Sequence, residues 1–249
     1  MPMKILFAGE SWVSQTTHIK GFDSFQTSVY QEGATILIET LKALGFDVTY
    51  LPNHKAIYDF PFTVEELSAY DCVILSDIGS NTLLLHPDTF PNSIRRPNRL
   101  ATIRDYVLGG GGFMMVGGYF AYSGMDAKCK YGHTPLRDVL PVVCLDTDDL
   151  MEHPEGITPV VVKDHPALKN VPSDWPFFLG YNRTLPREGC ETVMTVDGDP
   201  FLSFGAFGEG RAAAFATDCA PHWGPPEFLN WAGYAPLWKG IVDYITKTI

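Results

Sequence analysis

The stretch GGGGFMMVGGYFAYSG, residues 109–124, decides the fold. Its run FMMV, residues 113–116, is apolar on both faces, which predicts a strand in the middle of a parallel sheet with helices on each side. Gly117 and Gly118 then allow a sharp turn at the carboxyl end of the strand, where ligands of open α/β sheets bind. In many α/β enzymes this turn carries a nucleophile. Here it holds Gly118, or Tyr119 if the register is one residue later.

Outward from this strand, the N-terminal half alternates between strand and helix patterns. Strands are predicted at residues 4–9, 46–51 and 70–77, and helices at 27–44, 63–67 and 98–108, with a capping-box pattern at Thr63 and Glu66. This β-α alternation predicts a parallel sheet. The C-terminal half predicts a short helix at 134–140, short strands at 160–162, 192–196, 201–204 and 212–216, and a closing helix at 231–245. No linker is visible, so a single domain over residues 1–249 is expected.

The composition excludes several classes of partner. The chain has 18 Lys+Arg and 29 Asp+Glu, a net charge of −11, which argues against nucleic acid and anionic membranes as partners. The basic cluster at residues 95–99 is interpreted as a solvent-exposed start of a helix. The five cysteines are scattered without metal or redox spacing, which indicates reduced thiols in a cytoplasmic protein. No apolar run approaches the ~20 residues of a membrane helix.

Polar residues follow two of the predicted strands. Glu10 and Ser11 end the first strand and Asp77 ends the third, so all are expected on the ligand side of the sheet. The alternative is that they cap loops, because Ser and Asp commonly bond to nearby backbone.

The turn after the central strand and the loop after residues 212–216 are expected to share one cleft with Glu10 and Asp77, because the carboxyl ends of parallel strands converge at one sheet edge. The amides of Gly117, Gly118 and Tyr119 could hold a carboxylate, phosphate or oxyanion; alternatively, the glycines only relieve a left-handed turn. Asp218 and His222 suit an acid–base pair in which the carboxylate orients the imidazole. Cys219 lies between them and is interpreted as a buried thiol rather than a nucleophile.

Neither a metal nor another cofactor is expected. Five of the histidines are scattered next to turns, and none forms the helical His-x-x-x-His pair of a metal site. The aromatic closing segment, residues 228–238, could present an apolar patch and therefore predicts a homo-oligomer.

Six blocks of sequence carry a resemblance to a known family. They are AGESW (8–12), SDIGSNTLLLHPDTF (76–90), GGGGFMMVGGYFAYSG (109–124), DHPAL (164–168), FLGYN (178–182) and DCAPHWGPPEF (218–228). Together they resemble the putative glutamine amidotransferase family, a branch of the class I glutamine amidotransferase-like proteins, and more distantly the trehalose-utilisation proteins. The resemblance spans essentially the whole chain. It implies a flavodoxin-like α/β three-layer sandwich with a mostly parallel central sheet.

The sequence departs from the amidotransferases at the nucleophile. Those enzymes attack glutamine with a cysteine thiolate in a G-x-C-x-G turn and use a later His-x-Glu to activate it. No cysteine lies within residues 109–124, and His153-Pro154-Glu155, which matches the second motif, follows an acidic turn and is interpreted as a coincidence. Two functions stay open. One is a hydrolase or carbohydrate-related enzyme that uses Asp218 and His222 on a small polar or anionic molecule, and the other is a non-catalytic binding or oligomeric scaffold protein.

Overall fold

The computed structural model describes residues 2–249, which form fourteen strands and seven α-helices. The strands are β1 Lys4–Gly9, β2 Ser11–Lys20, β3 Asp23–Glu32, β4 Asp47–Leu51, β5 Cys72–Ser76, β6 Gly112–Val116, β7 Val142–Cys144, β8 Leu150–Ile157, β9 Val160–Val161, β10 Phe178–Asn182, β11 Thr184–Pro186, β12 Glu191–Val196, β13 Asp199–Phe207 and β14 Gly210–Phe215. The helices are α1 Thr35–Ala43, α2 Asn53–Asp59, α3 Val64–Leu67, α4 Ser80–Leu84, α5 Arg99–Leu108, α6 Pro226–Leu229 and α7 Tyr234–Ile245. Short 3₁₀ helices lie at Met125–Ala127, Tyr131–His133, Pro135–Val139 and Pro166–Leu168.

One eight-stranded sheet organises the chain, in the order β4-β1-β5-β6-β14-β13-β12-β9. The first five strands are parallel, in the order typical of flavodoxin-like folds, and the last three continue the sheet antiparallel. The strand β6 pairs in parallel with β5 and β14, and all five of its residues are buried. The central parallel strand predicted from FMMV is therefore confirmed.

Helices cover both faces of this sheet. One apolar core holds side chains from α1, α6 and α7, and the other holds side chains from α2, α3, α4 and α5. The α/β three-layer arrangement with a mostly parallel sheet is thus confirmed. The predicted capping box also forms, since the Thr63 hydroxyl accepts from Glu66 N and the Glu66 carboxylate accepts from Thr63 N. None of the helices in residues 2–249 is long and apolar enough to cross a membrane.

The segment between β1 and α1 differs from its prediction. Residues 11–32 form a hairpin of two ten-residue strands, β2 and β3, and the helix begins at Thr35 instead of residue 27. Residues 23–32 alternate polar residues with Phe25, Thr27 and Val29, which is the two-residue period of a strand rather than the 3.6-residue period of a helix. All ten residues of β3 are exposed, so no buried apolar face reinforces this alternation.

The aromatic side chains of the closing segment, residues 228–238, lie in the core rather than on the surface. Phe228, Tyr234 and Trp238 are each at most 3% exposed and pack against one another. The apolar patch expected from them is therefore absent from this segment, and it gives no support to a homo-oligomer. The exposed apolar side chains concentrate instead on the β2–β3 hairpin, including Ile19, Phe22 and Phe25. Self-association stays a prediction.

Candidate functional site

The site lies at the carboxyl ends of four neighbouring parallel strands. Glu10 follows β1, Asp77 follows β5, Gly117 follows β6, and Asp218 comes shortly after β14. Glu10 and Asp77 have positive φ angles of 51° and 42°, a conformation that costs energy in residues other than glycine and is often found at functional sites. Strand order alone thus brings together side chains that are distant in sequence.

Glu10 is the buried centre of this group. Its side chain is fully buried, and Oε2 accepts a 2.5 Å hydrogen bond from Ser76 Oγ and lies 3.7 Å from Cys219 Sγ. Its other oxygen, Oε1, has no hydrogen-bond partner. Burial, with the nearby Asp218 and Asp77 carboxylates, raises the pKa of Glu10 well above its ordinary value.

Asp218 and His222 are neighbours, as the sequence predicted. Asp218 is fully buried; Oδ1 accepts from Ala220 N at 2.9 Å, and Oδ2 has no hydrogen-bond partner. The His222 Nδ1 atom lies 3.6 Å from Asp218 Oδ2, an ion-pair distance slightly too long for a hydrogen bond. His222 has a φ of 139° and a side chain 36% exposed, so strained backbone holds an accessible imidazole above a buried carboxylate.

Aromatic rings flank the imidazole. Tyr119 stacks on His222 with ring centres 5.5 Å apart and an interplanar angle of 2°, and Trp12 lies 4.9 Å away. Trp223 packs edge-on against Tyr119 and donates from Nε1 to Glu152 Oε2 at 3.1 Å. Burial and the Glu152 carboxylate raise the pKa of Tyr119. These contacts fix the plane in which the His222 ring lies.

Two backbone amides of the glycine turn are already bonded within the protein. Gly117 N donates to Phe215 O at 2.8 Å, and Gly118 N donates to Asn182 Oδ1 at 2.9 Å. Neither amide is therefore left to hold an anion, and the alternative interpretation, glycines that relieve a tight turn, fits better. A Cβ at Gly118 would lie 2.9 Å from Asp77 Oδ1, so the turn has no room for a nucleophilic side chain.

Ser11 and Asp77 accept hydrogen bonds from the backbone and also lie beside a cavity. The Ser11 hydroxyl accepts from Asn53 N at 2.8 Å, and Asp77 Oδ1 accepts from Phe120 N at 2.6 Å, in the manner of the loop caps that were the alternative interpretation. Both residues, with Trp12, also line a cavity of about 650 Å³ that contains Lys128 and Lys130. Burial raises the pKa of Asp77 despite the Phe120 hydrogen bond.

The surroundings of Cys219 disfavour its thiolate form. Burial, followed by the charges of Glu10 and Asp218, raises its pKa well above the ordinary value. The other motif considered for glutaminase chemistry lies on β8, where His153 Nδ1 is 3.0 Å from Glu155 Oε1. These two residues contact each other, and His153 stacks on Tyr181 rather than on any residue of the glycine turn.

Several residues of the site escaped sequence reasoning. Ser76 is the last residue of an apolar strand, and Glu152 and Trp223 read as ordinary surface or core positions. Asn182 and Asp149 are also essential to the arrangement: Asp149 Oδ1 accepts from Asn182 Nδ2 and from Gly124 N, both at 2.9 Å. The one available sequence signal was position: Ser76 and Asn182 each end a strand, where site residues of such sheets lie.

Asp149 gives a pH prediction. Burial raises its pKa to about 6, against the hydrogen bonds from Asn182, Ser123 and Gly124 that favour the carboxylate. Because the folded state then binds more protons than the unfolded state between about pH 4 and pH 6, the free energy of unfolding should fall as the pH rises through that window. The contribution of Asp149 is at most about 3 kcal/mol.

Chemical denaturation at half-unit steps from pH 4 to pH 7 measures this dependence. The Asp149→Asn variant should show a smaller decline than the wild type, while Asp138→Asn, at an exposed carboxylate, should decline like the wild type. Equal slopes in wild type and Asp149→Asn would contradict the assignment.

Comparisons with known proteins agree with this fold. A family profile described as "Putative glutamine amidotransferase" matches residues 4–247. A cytoplasmic protein of Salmonella typhimurium, STM3548, is 45% identical with a TM-score of 0.95, covering 98% of this chain and 99% of its own. A second cytoplasmic protein, STM1381 of Salmonella typhimurium LT2, is 45% identical with a TM-score of 0.94 and the same coverage. No protein of curated function matches.

A more distant likeness concerns the fold alone. A ThuA-like protein of Parabacteroides merdae has a TM-score of 0.57 at 11% identity, covering 100% of this chain and 91% of its own. The two chains share the fold.

Proposed function

We propose that this chain, which belongs to the putative glutamine amidotransferase family, is a hydrolase of a small polar or anionic molecule. It is not a glutaminase under this proposal. The observation that carries the proposal is His222. Its imidazole is exposed, is held on a strained backbone with aromatic rings beside it, and has the buried Asp218 carboxylate 3.6 Å from Nδ1. A carboxylate behind one nitrogen keeps the other available for proton transfer to a ligand.

In the proposed reaction, water attacks the electrophilic atom of the scissile bond. The proton that water loses passes to His222 Nε2 and is returned to the leaving group as the scissile bond breaks. Asp218 stabilises the imidazolium that forms between these two transfers. No covalent intermediate on the protein is needed, which suits a turn without a side-chain nucleophile.

The cavity next to His222 supports the class of ligand. Lys130 offers positive charge, Lys128 is paired with Asp126 at 2.7 Å, and Ser11 and Asp77 offer hydrogen-bonding oxygens. Trp12 lines this cavity and contacts His222, so one side chain separates the cavity from the imidazole. An aromatic wall beside polar groups suits a sugar or a small acid. A glutaminase is disfavoured because Gly118 leaves no place for a nucleophile and burial keeps Cys219 protonated.

The test begins with a screen of 4-nitrophenyl esters, phosphates and glycosides for hydrolysis, beside a thermal-shift screen of small acids and sugars. For a hydrolysed probe, His222→Ala should lower kcat by about 100-fold to 10,000-fold because it removes the proton-transfer group. The stability should change little, since the side chain is partly exposed. His133→Ala is the matched control, because His133 is exposed and pairs with Asp146 instead.

Undiminished turnover by His222→Ala would contradict the proposal, as would release of ammonia from glutamine above a heat-killed control. A large loss of stability in His222→Ala would instead identify a structural histidine.

Binding without catalysis is the second candidate function. It is favoured by the glycine turn, in which no nucleophile is present and both glycine amides are already bonded within the protein. Under this alternative, ligands would shift the thermal unfolding without being hydrolysed, on a scaffold that self-associates. By analogy with the two Salmonella relatives, which are described as cytoplasmic, we place the protein in the cytoplasm.

A further inference from the structure

We propose that Glu10, Asp218 and Cys219 bind a divalent transition-metal ion of the zinc class. The binding site is argued from geometry alone. Its role, to provide the hydrolase with an activated water in place of the absent side-chain nucleophile, rests on the proposed function.

The three donor groups already lie close together. One ligand atom from each of Glu10, Asp218 and Cys219 lies within 4.8 Å of the other two. The distance from Glu10 Oε2 to Cys219 Sγ is 3.7 Å. Oxygen and sulfur ligands at about 2.0 and 2.3 Å from a tetrahedral zinc ion are about 3.5 Å apart, so this pair is close to the required spacing. The widest pair needs to approach by about 1 Å, which side-chain rotation can provide.

Two carboxylate oxygens of this cluster lack a hydrogen-bond donor within residues 2–249. Glu10 Oε1 and Asp218 Oδ2 are buried and accept no hydrogen bond, although an unpaired buried carboxylate oxygen is costly. Within residues 2–249, His222 is the sole ion-pair partner of this cluster, and Asp77 adds a further carboxylate nearby. No lysine or arginine side chain in that range pairs with these acidic groups. A cation held by both oxygens of Glu10 and by Asp218 Oδ2 would satisfy the two unpaired oxygens and balance the negative charge.

Glycine is required beside Glu10. A Cβ at Gly33 would lie 2.7 Å from Glu10 Oε1 and 3.1 Å from Ala220 Cβ, so a side chain there would displace the Glu10 carboxylate from the cluster. The cluster also adjoins the solvent through His222, which contacts Asp218 and is partly exposed.

The combination of one sulfur ligand and two carboxylate ligands determines which metal ions the cluster favours. A thiolate with two carboxylates favours zinc or cobalt over magnesium and calcium, which prefer oxygen ligands only. Three protein ligands leave a fourth position for water, as in catalytic zinc sites, and binding to the ion makes that water more acidic. The bound water would lose one proton to His222 and attack as hydroxide. The bond to the leaving group then breaks, and that group takes the proton from His222.

The experiment uses untagged full-length protein freed of metal with a chelator. Titration with Co²⁺ should produce thiolate-to-cobalt charge-transfer absorption that saturates at one ion per chain, and Zn²⁺ should displace it. Zn²⁺ at 100 times its Kd should raise the Tm by about 5–10 °C. Glu10→Gln, Asp218→Asn and Cys219→Ser should each weaken Zn²⁺ binding by at least about 10-fold. The Cys219 variant should also lose the absorption, whereas the control Cys190→Ser should keep it.

The inference is overturned if wild-type protein shows neither this absorption nor a Zn²⁺-dependent rise in Tm, or if the absorption survives in Cys219→Ser. The wild-type titration decides the matter even if a variant fails to fold, and circular dichroism identifies such a variant. His222→Ala separates the two proposals. If His222→Ala still binds the metal but no longer hydrolyses the probe, both the metal site and the proton-transfer role of His222 are supported. If His222→Ala no longer binds the metal, His222 is a fourth ligand, which overturns its proton-transfer role but not the metal site.

Discussion

Arg99→Met should lower the free energy of unfolding by about 3–5 kcal/mol. Arg99 is fully buried at the first turn of α5, and its guanidinium has no carboxylate partner. It donates instead to backbone carbonyls of Ala56, Ile57, Thr82 and Leu83 at 2.6–3.2 Å. Methionine fills a similar volume but removes the guanidinium donors from all four carbonyls, and only Ala56 O keeps a backbone donor, Phe60 N at 3.4 Å.

The location of those carbonyls explains why a cation is required. They belong to the last turns of α2 and α4, where helices carry unbonded carbonyls and partial negative charge. The Phe62 ring, 4.8 Å from the guanidinium carbon, adds a cation–π contact. Burial lowers the pKa of Arg99 to about 10, so the side chain still carries its charge at neutral pH. One side chain therefore joins two helix ends to a third helix.

Urea denaturation of both proteins measures the effect. Arg104→Met is the matched control on the same helix: its guanidinium is partly exposed and pairs with Asp105 at 2.8 Å, so the loss should stay below about 1 kcal/mol. Equal losses for the two variants would show that the four carbonyls gain nothing from Arg99.

Gly9→Ala should destabilise the protein by about 4 kcal/mol or more, enough to threaten folding altogether. Gly9 ends β1 with a φ of +113°, and a Cβ there would lie 1.8 Å from the Ser76 carbonyl oxygen. That oxygen also accepts the 2.8 Å hydrogen bond from Glu10 N. The methyl group would force β1 and β5 apart at the point where Glu10 and Asp77 enter the site.

Gly45→Ala provides the control, because Gly45 has a φ of +92° but no atom within 4 Å of the place that an alanine methyl group would occupy. It isolates the conformational cost of alanine, about 1–2 kcal/mol, from the steric clash. Soluble expression and thermal unfolding compare the two variants. Similar losses for Gly9→Ala and Gly45→Ala would mean that the strands accommodate the methyl group, which contradicts the close-approach argument.

Local patterns predicted the parallel half of the fold well. The boundaries of β1, β5, β6 and α5 follow runs of apolar residues, and the capping box at Thr63 forms as predicted. The β2–β3 hairpin differs from the predicted helix because both strands are largely exposed, so no buried apolar face reinforces the two-residue alternation in their sequence. Arg99 was read as part of a solvent-exposed basic cluster, yet it is buried because helix ends distant in sequence surround it.

The sequence by itself determined the parallel sheet, the position of its central strand and the absence of a cysteine from the glycine turn, since each depends on neighbouring residues only. It also indicated that Glu10, Asp77, Asp218 and His222 belong near one sheet edge, because parallel strands end together. Only the tertiary structure decided that Glu10 lies beside Cys219, a residue 209 positions away, and that the amides of Gly117 and Gly118 are already bonded. Such contacts depend on side-chain packing across strands, which no local pattern records.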